Sequence, residues 1–480
     1  HQKKKLGEDD LRAFRDRFNI PISDDDLAEL PYYKPGEDSE ELRYLQARRQ
    51  DLGGFIPTRR TRSKSLVIPA LDAFDAQLQG TGEREISTTM ALIRILSMLV
   101  RDKNIGSHIV PIVPDEARTF GMEGMFRQIG IYSSVGQLYT PQDADQLLYY
   151  KEDQQGQILE EGINEAGAYC SWLAAATAYS NHDVQMIPFY IFYSMFGFQR
   201  IGDFAWAGGD LQARGFLIGG TAGRTTLAGE GLQHQDGHSQ LVATTIPNCR
   251  AYDPCFAYEL AVIIQDGLRR MCAEQENIFY YITCMNENYV QPAMPSGVEN
   301  GILRGMYLLQ IGGRGTVRAQ LLGSGTILRE VLAAAKLLEE KFGVPADVWS
   351  VTSFSELRRE ALAIERWNNR HPADAPGQSY VSSCLGDREG PFVAATDYIK
   401  TVPDQIRQWV PGRYTVLGTD GFGRSDSRAA LREFFEVDRY SIALSALKAL
   451  ADDGALDANT VGQAIEEFGM DPNKPDPVTL

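Results

Sequence analysis

The sequence predicts an α/β protein in which parallel sheets are covered by helices. From about residue 84 onward, helical apolar patterns alternate with short β-branched or aromatic runs, and this alternation is typical of parallel sheets. At 480 residues, with 43% hydrophobic and 23% charged residues, the chain has the length of about two to four domains. No apolar run approaches the roughly 18 residues of a membrane span. We therefore expect a globular protein with more than one α/β domain and no membrane partner.

The first 65 residues are expected to form a loop and a linker. They are rich in charge and proline, with one helical pattern at DLRAFRDRF (residues 10–18) and turn signals at LPYYKPGED. Turn residues at such density interrupt regular structure. Residues 1–65 are therefore expected to lie outside the α/β domains.

Residues 66–296 are expected to form the first α/β domain. Strands are predicted at IVPIV, MIPFYIFYS, GFLIGGT and NIFYYIT, because short runs of β-branched and aromatic residues favour strands. An Ala-rich helix is predicted over Ile158–Ser180. Another helix should begin at YDPCFAYEL, with Asp253 as its cap and Pro254 at its first position.

Residues 297–480 are expected to form a second α/β domain. TVRAQLLGSG, TILREVLAAAKLLEEKFG and DVWSVTS predict a strand, a helix and a strand. Such a unit is expected to be a right-handed βαβ crossover.

Charge and cysteine content narrow the class of partner and the compartment. The net charge of -17 argues against nucleic acid, because phosphate binding needs clustered positive charge. The six cysteines include no C-x-x-C pair, which is typical of buried thiols in a reducing compartment. The cytoplasm is the expected location.

The stretch GEGLQHQDGHS places His234 and His238 four residues apart. On a helix, this spacing could hold zinc. Its three glycines argue against a helix, and no glutamate stands where hydrolytic zinc motifs need one. We expect no metal ligand here, and instead a special loop that holds one catalytic and one structural histidine.

Other candidate residues each have two interpretations. Glu165 is either a first-turn acid of a helix or a buried acid that exchanges a proton with a ligand nitrogen. Asp115 and Glu116, which come after the strand IVPIV, either cap a helix or line a ligand site. Tyr193 and Phe196 lie just after another strand and are either core or a cofactor platform. The glycine segments GSG and TDGFGRS are interpreted as structural turns.

Taken together and in order, these motifs resemble a known family. DEARTFGMEGMFRQIGIY, EGINEAG, FYIFYSMFGFQRIGD, GGTAGRTTLAGEGLQHQDGHS and TDGFGRSDSR resemble the homodimeric, thiamine-diphosphate-dependent pyruvate dehydrogenase (acetyl-transferring) components over essentially the whole chain. The resemblance implies a transketolase-like, pyrimidine-binding thiamine-diphosphate domain followed by a transketolase C-terminal domain.

The resemblance also assigns roles to residues. It places Glu165 beside the cofactor's aminopyrimidine ring and Phe196 against the face of that ring. Tyr193 and His234 match groups that contact the substrate. Asp115 and Glu116 match acids that line the cofactor site, and His1 matches the histidine of a mobile loop that assists acetyl transfer.

The activity implied by the resemblance is oxidative decarboxylation of pyruvate, with reductive acetylation of the lipoyl group of a dihydrolipoyl acetyltransferase. In this family a separate domain holds the diphosphate and Mg²⁺ through a Gly-Asp-Gly motif, which these 480 residues lack. The chain is therefore expected to be the portion without that domain, to need the missing N-terminal diphosphate-binding portion, and to act in a homodimer in the bacterial cytoplasm.

Three alternatives remain open. A transketolase or phosphoketolase would share the histidine loop but would need a basic cluster for sugar phosphates. A β-subunit of a heterotetrameric 2-oxoacid dehydrogenase naturally lacks the diphosphate domain, although the charged segment before Ser65 and the match of His1 argue against it. A non-enzymatic docking module would not need the retained acid and histidine.

Overall fold

The computed structural model describes residues 6–51, 54, 60–114, 117–141 and 150–480. The chain divides into two compact units, His1–Arg60 and Thr61–Leu480. In the first unit, Arg15 forms an ion pair with Asp24 and donates a hydrogen bond to the carbonyl of Ile22. The predicted helix at DLRAFRDRF is confirmed as α1. The predicted division of the chain at residues 65 and 296 stays a prediction.

The helices have these bounds: α1 (Glu8–Arg17), α2 (Asp24–Leu27), α3 (Glu40–Asp51), α4 (Asp75–Leu78), α5 (Thr88–Leu99), α6 (Glu123–Ile129), α7 (Glu165–Ala176), α8 (Ala178–His182), α9 (Ser194–Asp210), α10 (Ser239–Ala243), α11 (Ala257–Leu268), α12 (Glu299–Arg304), α13 (Leu328–Phe342), α14 (Phe354–Arg370), α15 (Tyr380–Leu385), α16 (Thr401–Asp404), α17 (Arg428–Phe434), α18 (Arg439–Asp452) and α19 (Ala458–Glu467).

The strands have these bounds: β1 (Glu85–Ile86), β2 (Ile109–Val113), β3 (Ile131–Tyr132), β4 (Glu152–Asp153), β5 (Leu159–Glu160), β6 (Ile187–Tyr193), β7 (Phe216–Gly220), β8 (Cys249–Tyr252), β9 (Phe279–Thr283), β10 (Tyr289–Val290), β11 (Met306–Gln310), β12 (Ala319–Gly323), β13 (Ala346–Val351), β14 (Phe392–Ala395) and β15 (Tyr414–Leu417).

Within the described residues of the second unit, the first sheet has the strand order β5-β2-β6-β7-β9-β8, and every pair in it is parallel. Side chains alternate between its two faces, as the strand pleat requires. Phe189 and Ile191 pack in a core with α5 and α11. Tyr190 and Phe192 pack in another core with α7 and α9. Because both faces are covered, the strands are apolar at nearly every position.

The second sheet has the order β11-β13-β12-β14-β15, with β11 antiparallel to β13 and the other pairs parallel. The predicted strand–helix–strand unit is confirmed as β12, α13 and β13. Leu321 and Val348 face a core that includes α13 and α18, and Leu322 and Trp349 face a core that includes α14. The expected α/β class is confirmed.

Two predicted helix boundaries are wrong. The helix expected from Ile158 begins only at Glu165, because Leu159–Glu160 pair with β2 as an edge strand and Gly162 then turns the chain at φ +77°. The true cap is Asn164, whose side chain accepts a hydrogen bond from Gly167 N.

The helix expected to start at Pro254, with Asp253 as its cap, begins instead at Ala257. The carboxylate of Glu259 accepts hydrogen bonds from Cys255 N and Phe256 N, at 2.7 and 3.0 Å, and so caps the helix from within. The Asp253 carboxylate is buried and accepts a hydrogen bond from the Thr283 hydroxyl.

Among the residues that the structure describes, no helix combines the length and the apolar character needed to cross a bilayer.

Candidate active site

The candidate active site lies at the carboxyl ends of neighbouring strands in the first sheet. Strand β6 ends at Tyr193, and α9 begins with the next residue. Strand β7 ends at Gly220 and leads into a loop, residues 221–238, that carries His234. The edge strand β5 leads into α7, whose first residue is Glu165. Parallel strands bring these segments to one edge, where α/β sheets commonly bind ligands.

Three rings form a cluster at this edge. The ring of His234 lies 5.2 Å from that of Tyr193 and 5.1 Å from that of Phe196, between centroids. Tyr193 and Phe196 meet edge to face at 5.8 Å. The structure therefore brings together an imidazole, a phenol and an apolar ring from two separate parts of the chain.

Glu165 connects to this cluster through Arg200. Only 8% of Glu165 is exposed, and its Oε1 atom accepts a hydrogen bond of 2.5 Å from Arg200 Nη1. The same guanidinium lies 4.2 Å above the centre of the Phe196 ring. Behind the acid, the Tyr190 hydroxyl approaches the backbone carbonyl of Glu165 at 3.4 Å. Arg200 thus contacts both the acid and the apolar ring.

Arg200 was not among the residues predicted from the sequence. The available signal was its position four residues after Phe196 on one helix, since residues at that spacing lie on the same helix face. An arginine at this spacing can lie over an aromatic ring. The missing information was that Glu165, from another helix, lies within reach.

The two histidines of the loop have different neighbours. His234 Nδ1 lies 3.0 Å from Glu230 Oε2, but among the described residues no group meets this nitrogen with hydrogen-bond geometry. His238 Nε2 accepts from the Gln199 amide at 2.9 Å. Its backbone N–H donates to Asp236, which is fully buried. His238 therefore holds the end of the loop, while His234 faces the ring cluster.

No three His, Cys, Asp or Glu side chains gather as a metal site would require, within the ranges that the structure describes. Three predicted site residues, Asp115, Glu116 and His1, lie outside those ranges. Their predicted roles remain predictions.

Known protein families match two parts of the chain. Residues 66–292 match the family model described as the pyruvate dehydrogenase E1 component middle domain. Residues 305–438 match the transketolase-like C-terminal domain. Both matches fall in the second compact unit.

Curated relatives are similar over the whole chain. It is 65% identical over 480 residues to the pyruvate dehydrogenase E1 component of Pseudomonas aeruginosa, covering 100% of this chain and 54% of the relative. The component of Cupriavidus necator is 59% identical, again with 100% and 54% coverage. That of Escherichia coli K12 is 56% identical, with 99% and 54% coverage. The chain thus spans about half the length of these relatives.

Solved structures show the fold. A transketolase from Leishmania mexicana matches with a TM-score of 0.58 at 17% identity, covering 94% of this chain and 56% of that chain. A transketolase from Campylobacter jejuni matches with a TM-score of 0.57 at 16% identity, with 92% and 59% coverage. The fold is therefore transketolase-like, as the resemblance implied.

Proposed function

The chain belongs to the pyruvate dehydrogenase E1 component family, and from this premise we propose that it provides the pyrimidine-binding side of a thiamine-diphosphate site that decarboxylates pyruvate. The complete reaction is oxidative decarboxylation with reductive acetylation of a lipoyl group on a dihydrolipoyl acetyltransferase. The proposal rests on the juxtaposition of Glu165, Phe196 and His234.

One contact carries the proposal. The Arg200 guanidinium is flat, carries N–H donors, and contacts the Glu165 carboxylate and the Phe196 face at the same time. A flat heteroaromatic ring with a protonated nitrogen presents the same two features, an N–H for a carboxylate and a face for an aromatic ring. The residues at this edge therefore fit the aminopyrimidine part of thiamine diphosphate, with Glu165 and Phe196 holding it.

Thiamine diphosphate supplies a carbon nucleophile and an electron sink for the decarboxylation of 2-oxo acids. In the proposed site, Glu165 holds a proton at a ring nitrogen. Its burial suits this task, because a carboxylate screened from water can direct its hydrogen bond at the ring nitrogen. Phe196 fixes the plane of the ring.

Tyr193 and His234 are proposed to contact the substrate. Pyruvate is an anion, and hydrogen-bond donors directed at its oxygens would stabilise charge that develops there. His234 suits this role because its ring lies against those of Tyr193 and Phe196 at the strand ends. Asp115 and Glu116 are proposed to line the cofactor site, and His1 is proposed to assist acetyl transfer.

The proposal requires groups that these 480 residues do not supply. The sequence has no Gly-Asp-Gly motif, so the diphosphate and Mg²⁺ are proposed to bind to a separate N-terminal portion. We place the active enzyme, a homodimer working with a lipoylated acetyltransferase, in the bacterial cytoplasm.

The test uses the complete enzyme, with this chain joined to or mixed with the diphosphate-binding portion. Carbon dioxide release from pyruvate is measured with thiamine diphosphate, Mg²⁺ and an artificial electron acceptor. Glu165→Ala should abolish release while leaving the circular dichroism spectrum unchanged. The matched control is Glu299→Ala, because Glu299 is also the first residue of a helix but lies outside the cluster.

Near-normal activity of Glu165→Ala would disprove the role of this acid. Turnover of a sugar phosphate, without carbon dioxide release from pyruvate, would instead make the protein a transketolase-type enzyme. If a folded and cofactor-loaded enzyme catalysed neither reaction, a non-enzymatic docking module would be favoured.

A further inference from the structure

We propose that Gly418–Asp426, here called the 418–426 segment, positions His234 for the reaction. This segment comes directly after β15 of the second sheet, whereas His234 belongs to the loop after β7 of the first sheet. The inference rests on the proposed function, because it assumes that His234 contacts the substrate. It gives the TDGFGRS motif, interpreted from sequence as a structural turn, a role at the active site.

Hydrogen bonds join the segment to the histidine loop on both sides of His234. Before the histidine, Gly229 N donates to the carbonyl of Asp426 at 2.9 Å, and the Ser425 hydroxyl donates to the carbonyl of Gly229. After it, Arg424 N donates to Gln235 Oε1 at 2.8 Å. The segment therefore fixes the loop at residues 229 and 235, on either side of His234.

Gln235 transmits this constraint to its neighbour His234. Only 1% of Gln235 is exposed. Its Nε2 atom donates to the carbonyl of Leu227 at 2.9 Å, while its Oε1 atom accepts from the 418–426 segment. A side chain held at both ends leaves the adjacent backbone little freedom, so the direction of the His234 side chain is restricted as well.

Close packing explains why the segment needs glycine at residue 423. A Cβ atom at this position would lie 2.7 Å from Gln235 Oε1 and 3.0 Å from the Cα atom of Leu232. Contacts of this length force neighbouring atoms to move. An alanine at residue 423 would therefore displace Leu232 and Gln235, which lie on either side of His234 in the loop.

A buried arginine ties the far end of the loop to the same segment. Arg224, of which 5% is exposed, donates to the carbonyl of Gly421 at 2.7 Å and also to that of Thr419. Its guanidinium packs against Gly237, where an added Cβ atom would collide with it. Three parts of the loop, near residues 224, 229 and 235–237, are thus held by the 418–426 segment or by its arginine partner.

The experiment measures kcat/KM for pyruvate in the complete enzyme with four variants: Gly423→Ala, His234→Ala, the double variant, and Gly462→Ala. The last is the matched control, because Gly462 is exposed in α19 and a Cβ atom there would contact nothing. We expect Gly423→Ala to lower kcat/KM by about tenfold or more, because small displacements of catalytic groups have effects of this size. The control should keep wild-type activity.

The double variant separates positioning from a general structural effect. If residue 423 acts through His234, Gly423→Ala should cause no further loss in the His234→Ala background. Equal losses in both backgrounds, wild-type activity of Gly423→Ala, or full activity of His234→Ala would each overturn the proposal. Should Gly423→Ala fail to fold, Ser425→Ala replaces it, since it removes one hydrogen bond to Gly229 and adds no atoms.

Failure of the proposed function has a separate signature. In that case the unmodified complete enzyme releases no carbon dioxide from pyruvate, so there is no activity with which to compare the single and double variants. If the parent enzyme is active but the losses from Gly423→Ala and His234→Ala add up in the double variant, only the positioning role is refuted.

Discussion

Replacement of Asp253 by asparagine should stabilise the protein at pH 8 but not at pH 5. Asp253 comes directly after β8, and 5% of it is exposed. Its Oδ1 atom accepts from the Thr283 hydroxyl at 2.7 Å. Burial raises the pKa of this carboxyl from 3.8 to about 7, and the nearby acids Asp397 and Glu259 add to the shift. The Thr283 and Ser324 hydroxyls both act in the opposite direction, to lower the pKa of this carboxyl.

The shift in the pKa of Asp253 sets the size of the expected change in the free energy of unfolding. A raised pKa means that the folded protein resists ionisation of Asp253. The resulting loss in the free energy of unfolding is absent below about pH 4, grows as the pH rises towards 7, and is constant above it. A shift of about three units corresponds to roughly 4 kcal/mol at pH 8. Asparagine removes this cost but places a poorly paired amide in the site, which returns about 1–3 kcal/mol. The net gain at pH 8 should be about 1–3 kcal/mol.

The effect of Asp253→Asn on the free energy of unfolding should depend strongly on pH. At pH 5 only the first part of the cost has developed, so the effect of Asp253→Asn should be about 3 kcal/mol more favourable at pH 8 than at pH 5. Urea unfolding of the 480-residue chain, monitored by circular dichroism at both pH values, measures this difference. The control is Asp203→Asn, which removes the same charge from an exposed position.

A gain that is the same at both pH values would refute the reasoning, because it would show that ionisation of Asp253 is not the cause. An equal gain from Asp203→Asn would assign the effect to net charge instead.

Two further substitutions test the contacts around the site and between the sheets. Arg200→Gln should lower the half-saturating concentration of thiamine diphosphate in the complete enzyme by about two- to fivefold, the effect of removing a partly exposed ion pair that competes for Glu165; a rise would show that Arg200 supports the acid instead. Glu259→Ala should lower the free energy of unfolding by about 3–5 kcal/mol, because it leaves buried donors without an acceptor. Among these donors are the hydroxyls of Tyr307 and Ser350 in the second sheet, at 2.7 and 2.6 Å. Urea unfolding measures this loss, and Glu299→Ala, which should change it little, is the control.

The sheets could be predicted well from sequence because their strands carry a strong local signal. Strand β6 and strand β7 are apolar at nearly every position, and that pattern is sufficient to locate a buried parallel strand. Helix starts were harder to predict, because more than one nearby side chain can cap the same helix. Asp253 has a good capping residue type and sequence position, yet Glu259 caps the helix and Asp253 turns towards Thr283.

The candidate site was predicted in part. Tyr193 and Phe196 could be placed after a strand, and His234 in a glycine-rich loop, from local pattern alone. Their proximity to each other could not be derived from pattern, since it depends on the parallel pairing of β6 with β7. The contact between Arg200 and Glu165 joins two helices and has no local signal. The roles assigned to these residues came from family resemblance and stay predictions.

The direct junction between β6 and α9 affects how such a site can change in evolution. No residue separates Tyr193, the last of the strand, from Ser194, the first of the helix. One inserted residue would rotate the helix face by about 100°, carrying Phe196 and Arg200 away from Glu165. Insertions or deletions at this junction therefore cannot change the positions of Phe196 and Arg200 in small steps. Variation in substrate preference among related enzymes should accumulate in the glycine-rich loop and its contacts, while the length of this junction stays fixed.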